Sequence, residues 1–297
     1  MRNLFIKELI KEAQKNEKIV LVVGDLGFNV IEPFKNRFPN RFFNAGVSEQ
    51  SMIGIASGLA LKGFQVFVYS IANFPTFRCA EQIRNDMDYH NLSITIVSVG
   101  SGLSYGNLGY SHHGLQDLSL IRSFPNTSIC SPCCNEELVG AMNYIFKNPQ
   151  PSYLRLDKSL DLSLKIKTQK IKPGKWIMHK KGNSKKKLLI STGSTFNDCS
   201  KILLSDKKNL YNWYSIPIWS MKHKSIQLNK LLNYNHIISV ENHFQDGGFG
   251  SWINEIIASQ NHKRKINVFN KFIKKEVIGR VGSETYLNNK FGPAKNI

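Results

Sequence analysis

The chain has 297 residues, of which 41% are hydrophobic and 21% are charged. This length corresponds to about two domains, and this composition supports packed cores and excludes wholesale disorder. Apolar runs fall short of the roughly 20 residues that a membrane-spanning helix needs. Charges interrupt the N-terminal segment too often for a signal peptide, so we expect a cytoplasmic protein.

The charge of the chain is strongly basic but unevenly distributed. The net charge is +19; residues 1–160 carry 15 basic and 13 acidic side chains, and residues 161–297 carry 25 and 8. The basic side chains are 31 lysines and 9 arginines, whereas nucleic-acid-binding proteins usually favour arginine for contacts to phosphates and bases. A solvated lysine-rich surface is therefore favoured, and a basic nucleic-acid-binding or structural module is an alternative that only the charge supports.

The five cysteines are odd in number and clustered, which argues against a secreted disulfide framework. The run Cys130-Ser-Pro-Cys133-Cys134 resembles metal-ligand spacing. A structural zinc site usually takes four ligands from two such knuckles, and no second knuckle follows. We interpret these residues as reduced thiols and predict no metal site in the chain.

Strand-like and helix-like segments alternate over residues 1–160, the first predicted domain. In chain order we predict helix 4–13, strand 18–23, strand 41–44, helix 48–62, strand 65–69, helix 75–89, strand 93–97, a glycine-rich loop 100–114, helix 115–123, strand 128–130, helix 134–147 and strand 152–156. Such alternation is typical of an open, twisted parallel sheet with helices on both faces.

Residues 161–187 break this pattern with ten lysines, and we predict a solvated linker with one hairpin. A second alternating unit over residues 188–297 then contains strand 188–191, a helix from 196, strand 210–214, helix 225–232, strand 236–240, a helix from 250 and strand 266–269. The fold class is therefore α/β, with two open twisted-sheet domains.

Polar or aromatic residues follow several strands of the first domain: Asp25, Glu49, Asn73, Phe74, His112 and His113. Ligands of open parallel sheets bind beyond the carboxyl ends of strands, so these residues are expected to meet at one edge. For a carboxylate at a helix start, such as Glu49, one interpretation is that it only interacts favourably with the helix dipole. Its small and apolar neighbours instead predict a buried carboxylate that holds or shares a proton. We favour His112 for function and His113 for structure.

In combination, these motifs resemble the transketolase family. The resemblance rests on Gly24-Asp25-Leu26, Gly46-Val-Ser-Glu49-Gln50, Phe74, Ser111-His112-His113-Gly114-Leu-Gln-Asp117 and Arg122-Ser-Phe-Pro-Asn126, with Ser239-Val-Glu241-Asn-His243 and Gly247-Gly-Phe-Gly-Ser251 in the second domain. It spans nearly the whole chain and matches the pyrimidine-binding and C-terminal domains of that family. It implies transfer of a two-carbon ketol unit from a ketose to an aldehyde through thiamine diphosphate.

The resemblance also implies roles for single residues. Glu49 would hydrogen-bond the pyrimidine ring of the cofactor, and Glu49 and His112 are the implied catalytic residues. The other implied cofactor-binding residues are Phe74, Phe77, Asp25 and Ile71, and the implied substrate-binding residues are His112, Asn29 and Lys158. For Phe74 the alternative is core packing, and for Asp25 it is turn formation.

The family binds the cofactor's diphosphate through Mg²⁺ with a Gly-Asp-Gly motif and an asparagine, and the chain has no such motif. The resemblance therefore implies the small subunit of a split transketolase, whose partner supplies the diphosphate and Mg²⁺ site. We expect a heterotetramer of two large and two small chains, with the isolated small chain an inactive homodimer. The alternative is the β subunit of a 2-oxo acid dehydrogenase E1 component, which shares the glutamate motif but not the loop around His112.

Three positions depart from the family pattern. At the position of Leu108 the family has an acidic residue that hydrogen-bonds a hydroxyl of the donor sugar. At the position of Gly100 the family has a histidine, and at the position of Lys158 it has an arginine that binds phosphate. A leucine accepts no hydrogen bond, and a buried unpaired hydroxyl costs roughly 1–3 kcal/mol. We therefore expect that ordinary pentose-phosphate ketoses are not the best donors, and that the donor is a modified sugar or a different two-carbon or acyl donor.

Overall fold

The computed structural model describes residues 1–259 and 265–295. The predicted α/β class is confirmed, since the strands form two mostly parallel sheets flanked by helices. Within these residues, no helix is both long and apolar enough to cross a membrane.

Twelve strands and eleven α-helices alternate along the described chain. The strands are β1 Ile19–Val23, β2 Phe42–Asn44, β3 Gln65–Ile71, β4 Ile94–Val99, β5 Ser128–Cys130, β6 Ser152–Leu156, β7 Ile177–Lys180, β8 Lys187–Ser191, β9 Asn212–Ser215, β10 Ile218–Trp219, β11 His236–Val240 and β12 Asn267–Lys271. The helices are α1 Arg2–Ala13, α2 Glu32–Arg37, α3 Glu49–Leu61, α4 Phe74–Phe77, α5 Ala80–Gln82, α6 Asp117–Ile121, α7 Asn135–Lys147, α8 Phe196–Leu204, α9 Ser225–Leu231, α10 Phe249–Ala258 and α11 Glu284–Phe291.

The first sheet has seven strands in the order β10-β5-β6-β4-β3-β1-β2. Strands β1, β4 and β6 are buried along their whole length, as expected when helices cover both faces of a parallel sheet. The edge strand β10 runs antiparallel to β5 and comes from the second half of the chain. The two halves of the sequence therefore share one sheet.

The second sheet has five strands in the order β12-β11-β8-β9-β7. Its edge strand β7 lies inside the segment predicted to be a solvated linker, and it pairs antiparallel with β9 rather than within a local hairpin. Apolar burial accounts for this pairing, because Ile171 and Ile177, which lysines flank in the sequence, are buried in the hydrophobic core. The expectation of a purely solvated segment is corrected in this respect, while the domain bounds 1–160, 161–187 and 188–297 stay a prediction.

The predicted single helix over residues 75–89 is broken into α4, α5 and a π-helical turn, Ile83–Asp88. The side chain of Thr76 donates a hydrogen bond to the carbonyl of Ala72 at 2.7 Å. Such bonds from Thr to the preceding turn compete with the helix ladder and bend helices. The break leaves Phe74 at the start of a short helix beyond the carboxyl end of β3.

A buried ion pair joins the two units. Arg155 of β6 donates from Nε to Asp117 at 2.7 Å, from Nη1 to the side-chain oxygen of Asn242 at 2.6 Å and from Nη2 to the carbonyl of Gly114 at 2.6 Å. Burial alone raises the pKa of Asp117, but Arg155 outweighs burial and lowers that pKa below its ordinary value. The pair therefore fixes α6, the loop before it and the second unit relative to β6.

Removal of the arginine side of this pair is expected to destabilise the chain strongly. In Arg155→Met, Asp117 stays buried without its charge partner, which costs about 3–5 kcal/mol of the free energy of unfolding. Urea denaturation of the isolated chain measures this change. The control is Arg84→Met, which removes an exposed arginine that hydrogen-bonds its neighbour Asn85. A loss below about 1 kcal/mol in Arg155→Met would contradict the role given to the pair.

Candidate active site

Glu49 is the first residue of α3, just after the turn that follows β2. Its side chain is only 5% exposed, so the predicted buried carboxylate is confirmed. Nη1 of Arg78 lies 2.9 Å from Oε1 and 3.0 Å from Oε2 of Glu49. The buried charge thus has a cationic partner, and nothing in the sequence pattern around Glu49 indicates Arg78.

Arg78 also contacts Phe74, which lies one helical turn earlier. The guanidinium carbon of Arg78 lies 4.5 Å from the centroid of the Phe74 ring, within the range of a cation–π interaction. The ring of Phe74 meets His112 edge to face, with the ring centroids 5.1 Å apart. Arg78 and Phe74 therefore connect Glu49 with His112 in one continuous cluster.

The loop that carries His112 is held by Asn73. Its side-chain nitrogen donates to the carbonyls of Ser111 at 3.0 Å and His113 at 2.8 Å. The side chain of His113 is buried, as predicted for a structural residue, whereas His112 is partly exposed. Burial, followed by the positive charge of Arg78, lowers the pKa of His112 below its ordinary value, which favours the neutral ring at neutral pH.

Tyr105 extends the cluster toward Lys158. Its ring centroid lies 6.3 Å from that of His112, and Nζ of Lys158 lies 4.8 Å from the Tyr105 centroid. Gly100 has a φ of +99°, and a Cβ at this position would lie 2.3 Å from Cδ2 of Tyr105. The tyrosine ring therefore occupies the space that a side chain at position 100 would need. Sequence patterns do not indicate Tyr105.

Lys158 lines a cleft of about 510 Å³ together with Arg2 and Lys7. Nε of Arg2 donates to the carbonyl oxygen of Lys158 at 3.0 Å, which fixes the backbone that carries the lysine. The cleft contains Asp161 as well. Lys158 is therefore near other cations at the end of the cluster that starts with Glu49.

Asp25 and Asn29 lie after β1 in exposed left-handed conformations, with φ of 53° and 64°. Asn44 donates to Oδ1 of Asp25 at 2.9 Å and accepts from the backbone N–H of Gly46 at 3.0 Å. Asp25 thus helps to hold the turn that leads to Glu49. The N–H of Asn29 donates to Glu32 of α2.

Two of the predicted cofactor-binding residues, Phe77 and Ile71, take no part in the hydrogen bonds and ring contacts that form the cluster. Phe77 is 47% exposed and lines a groove of about 1060 Å³ with Phe244 and Phe272, and this lining includes neither Glu49 nor Phe74. Ile71 is the half-buried last residue of β3. Among the residues that the structure describes, no hydrogen bond or ring contact joins Phe77, Ile71 or Asn29 to Glu49, Phe74 or His112.

Residues 1–161 match the sequence model of the transketolase pyrimidine-binding domain. The chain belongs to the transketolase family. It is 30% identical over 261 residues to one of the subunits of the apulose-4-phosphate transketolase of Actinobacillus succinogenes, covering 87% of this chain and 83% of that protein. It is 24% identical to the SqwH subunit of a 6-deoxy-6-sulfo-D-fructose transketolase of Clostridium sp. (strain MSTE9), covering 98% of this chain and 90% of that protein.

Solved transketolases share the fold. A split-gene transketolase, described as an inactive β4 tetramer, superposes with a TM-score of 0.82 at 25% identity and covers 98% of this chain and 93% of that one. A Pichia stipitis transketolase variant superposes with a TM-score of 0.74 at 17% identity, and this chain covers 43% of its length. These matches confirm the prediction of a small transketolase subunit, and membership of the transketolase family implies dependence on thiamine diphosphate.

The side chains of the cluster fit the pyrimidine end of thiamine diphosphate. An ionised carboxylate offers about four acceptor positions, and Arg78 uses one on each oxygen of Glu49. Glu49 therefore retains the capacity to accept from a ring N–H. Phe74 offers an aromatic surface beside that carboxylate, and aromatic rings stack well on flat heterocycles.

The lowered pKa of His112 provides a test of the cluster in the isolated chain. In Arg78→Ala the nearby positive charge is lost, so the pKa of His112 should rise toward its ordinary value and its ring should protonate at higher pH. An NMR titration of the histidine ring signals measures this change. The control Arg84→Ala removes an exposed arginine elsewhere and should leave the titration unchanged. An unchanged or lower pKa of His112 in Arg78→Ala would show that Arg78 does not act on the ring.

Proposed function

We propose that this chain supplies the pyrimidine-binding half of a transketolase active site and is active only with a large partner subunit. The observation that carries the proposal is the buried carboxylate of Glu49, held by Arg78 beside the ring of Phe74 and the partly exposed His112. A buried acid next to an aromatic surface is the arrangement that the cofactor's aminopyrimidine ring requires.

Glu49 would hold the proton at N1′ of the pyrimidine ring. When bound, thiamine diphosphate supplies the carbanion chemistry of two-carbon transfer. The low exposure of Glu49 strengthens its hydrogen bond to that nitrogen, because few water molecules compete for the carboxylate. Phe74 would orient the ring by stacking. Asp25, Ile71 and Phe77 stay proposed cofactor contacts, of which Asp25 also holds the turn before Glu49.

His112 and Lys158 would contact the sugar. A neutral imidazole both donates and accepts, so His112 is suited to a substrate hydroxyl or carbonyl near Phe74. Lys158 is suited to an anionic group at the far end of the sugar, as a point charge rather than a bidentate fork. Asn29 stays a proposed substrate contact.

The diphosphate and Mg²⁺ would be held by the partner subunit. The chain lacks the Gly-Asp-Gly motif, and within residues 1–259 and 265–295 the one group of three metal-ligating side chains does not include a residue of the cluster around Glu49. The proposed assembly contains two large and two small chains, and the isolated small chain forms an inactive dimer. The expected cytoplasmic location of the protein stays a prediction.

The exposed face of α3 supports such an assembly. Val47, just before the helix, and Ile55 and Leu61 on it are exposed apolar side chains. A Cβ added at Gly54 or Gly58 would meet no atom within 4 Å, so the face between these side chains is open. Exposed apolar patches of this kind mark subunit interfaces. Because α3 begins at Glu49, a subunit that packs on this face would lie next to the cofactor site.

The donor would be a modified ketose. Leu108 is 54% exposed in the turn Gly106–Leu108 and offers no acceptor to a donor hydroxyl, and Tyr105 fills the space above Gly100. Two relatives are named for apulose 4-phosphate and 6-deoxy-6-sulfo-D-fructose, which are not ordinary pentose phosphates. We infer that Leu108 and the neighbouring pair Tyr105 and Lys158 favour a donor of this modified kind.

Reconstitution tests the proposed role of Glu49. The chain is mixed with its large subunit, Mg²⁺ and thiamine diphosphate, and sugar transfer is measured. Glu49→Gln should lower kcat by roughly 10²–10⁴-fold, because the amide cannot hold the proton at N1′. The control Glu81→Gln, which changes an exposed glutamate, should keep full activity. Near-normal turnover of Glu49→Gln would remove Glu49 from this role, and acyl transfer to lipoyl groups would identify a 2-oxo acid dehydrogenase component instead.

A donor panel tests the substrate proposal. The wild-type mixture is assayed with xylulose 5-phosphate, apulose 4-phosphate and 6-deoxy-6-sulfo-D-fructose, each with an excess of aldehyde acceptor. One of the modified sugars should give the highest kcat/KM. Leu108→Asp should raise kcat/KM for xylulose 5-phosphate by roughly 10-fold, because it restores an acceptor worth about 1–3 kcal/mol. If xylulose 5-phosphate is the best donor of the wild-type mixture, the proposed change of specificity is wrong.

A further inference from the structure

Three side chains that can ligate a metal converge at the junction of the two units. Cys133 precedes α7, Glu137 lies in the first turn of α7, and His179 lies on β7 of the second sheet. The Sγ of Cys133 lies 3.8 Å from Nε2 of His179, which lies 3.7 Å from Oε1 of Glu137. All three ligand atoms lie within 4.8 Å of one another. The sequence pattern shows only the cysteine run, because His179 comes from the segment predicted to be a solvated linker.

The site is buried, and its carboxylate forms no ion pair with a lysine or arginine of the described residues. Cys133 and Glu137 are almost fully buried, and the side chain of His179 is 4% exposed. Within the described residues, the only cationic or potentially cationic side chain within 4.0 Å of the Glu137 carboxylate is His179. A buried carboxylate without a cation is costly, so buried charges are usually paired or bind metals.

Hydrogen bonds orient the carboxylate toward the other two side chains. The backbone N–H of Cys133 donates to Oε2 of Glu137 at 2.8 Å. The hydroxyl of Ser215 donates to Oε1 of Glu137 and lies 2.8 Å from Nε2 of His179. The ring of His179 also packs on Trp213, with the centroids 4.7 Å apart. Such contacts around metal ligands fix their orientation.

The distances match a zinc site. Zinc binds Cys, His and carboxylate ligands at about 2.0–2.3 Å in a tetrahedron, which separates the ligand atoms by roughly 3.3–3.8 Å. Two of the three pairs already have this separation, and the third needs to contract by at most about 1 Å to reach it. A thiolate, an imidazole and a carboxylate together favour zinc over Mg²⁺ or Ca²⁺, which prefer oxygen ligands only.

We propose that Cys133, Glu137 and His179 form a zinc site that fastens β7 to α7. On binding, the thiol of Cys133 loses its proton to solvent, and the thiolate and carboxylate neutralise the charge of Zn²⁺. Ser215 provides a further oxygen next to two of the ligands. This site replaces the interpretation of Cys133 as an ordinary thiol. It contains no residue of the cluster around Glu49, so it stands independently of the proposed transferase activity.

Metal titration of the isolated chain tests the site without an activity assay. The purified chain is dialysed against a chelator and titrated with Co²⁺, which reports a thiolate ligand through a charge-transfer absorption band. The wild-type chain should bind one Co²⁺ with this band, and Zn²⁺ should displace the Co²⁺. The melting temperature should rise when Zn²⁺ is added, because a ligand that binds only the folded state stabilises it.

Variants identify the ligands. Cys133→Ser should abolish the charge-transfer band, and His179→Gln should weaken Zn²⁺ binding by more than the roughly 10–100-fold that loss of an outer-shell partner costs. The control Cys199→Ser removes a buried thiol on α8 and should keep the band. Absence of a band in the wild-type chain at saturating Co²⁺ overturns the proposal without any variant. A band that persists in Cys133→Ser overturns it as well.

Discussion

The position of the candidate active site depends on one buried ion pair, Arg155 with Asp117. Both side chains are fully buried, and the guanidinium donates five hydrogen bonds, to Asp117, Asn242 and the carbonyl of Gly114. Burial of two charges is costly, and the attraction between the charges together with these hydrogen bonds offsets that cost. Because Gly114 ends the loop that carries His112, the pair fixes this loop between the first sheet and the second unit.

Several motifs that indicated the family serve this scaffold rather than the chemistry. Arg122 donates to the carbonyl of Gly248 at 3.1 Å, and Glu241 accepts from the N–H groups of Phe249 and Gly250 at the start of α10. Burial raises the pKa of Glu241 to about 8, although these N–H groups oppose the rise. A Cβ at Gly248 would lie 2.1 Å from Oε2 of Glu241, which explains a glycine at this position.

Local patterns predicted much of the fold, and long-range contacts account for what they missed. Every predicted strand of the first domain exists, and β1, β4 and β6 were recognisable because buried parallel strands are continuous apolar runs. The burial of Glu49 followed from its apolar neighbours. Arg78 and Tyr105 were missed, since a lone arginine and a loop tyrosine have no periodicity that points to a partner far along the chain. For the same reason the sequence pattern did not predict the pairing of β7 with β9, because β7 lies in a lysine-rich segment.

The proposed active site requires that Glu49 hydrogen-bonds the pyrimidine ring of a cofactor whose diphosphate is bound by another polypeptide. A structure of the reconstituted complex with thiamine diphosphate and Mg²⁺ tests it most directly. The account predicts an oxygen of Glu49 at about 2.5–3.0 Å from N1′, with Phe74 against the ring and the Mg²⁺ ligands all on the large subunit. A Glu49 carboxylate that faces bulk solvent, or Mg²⁺ bound by residues of this chain, would contradict it.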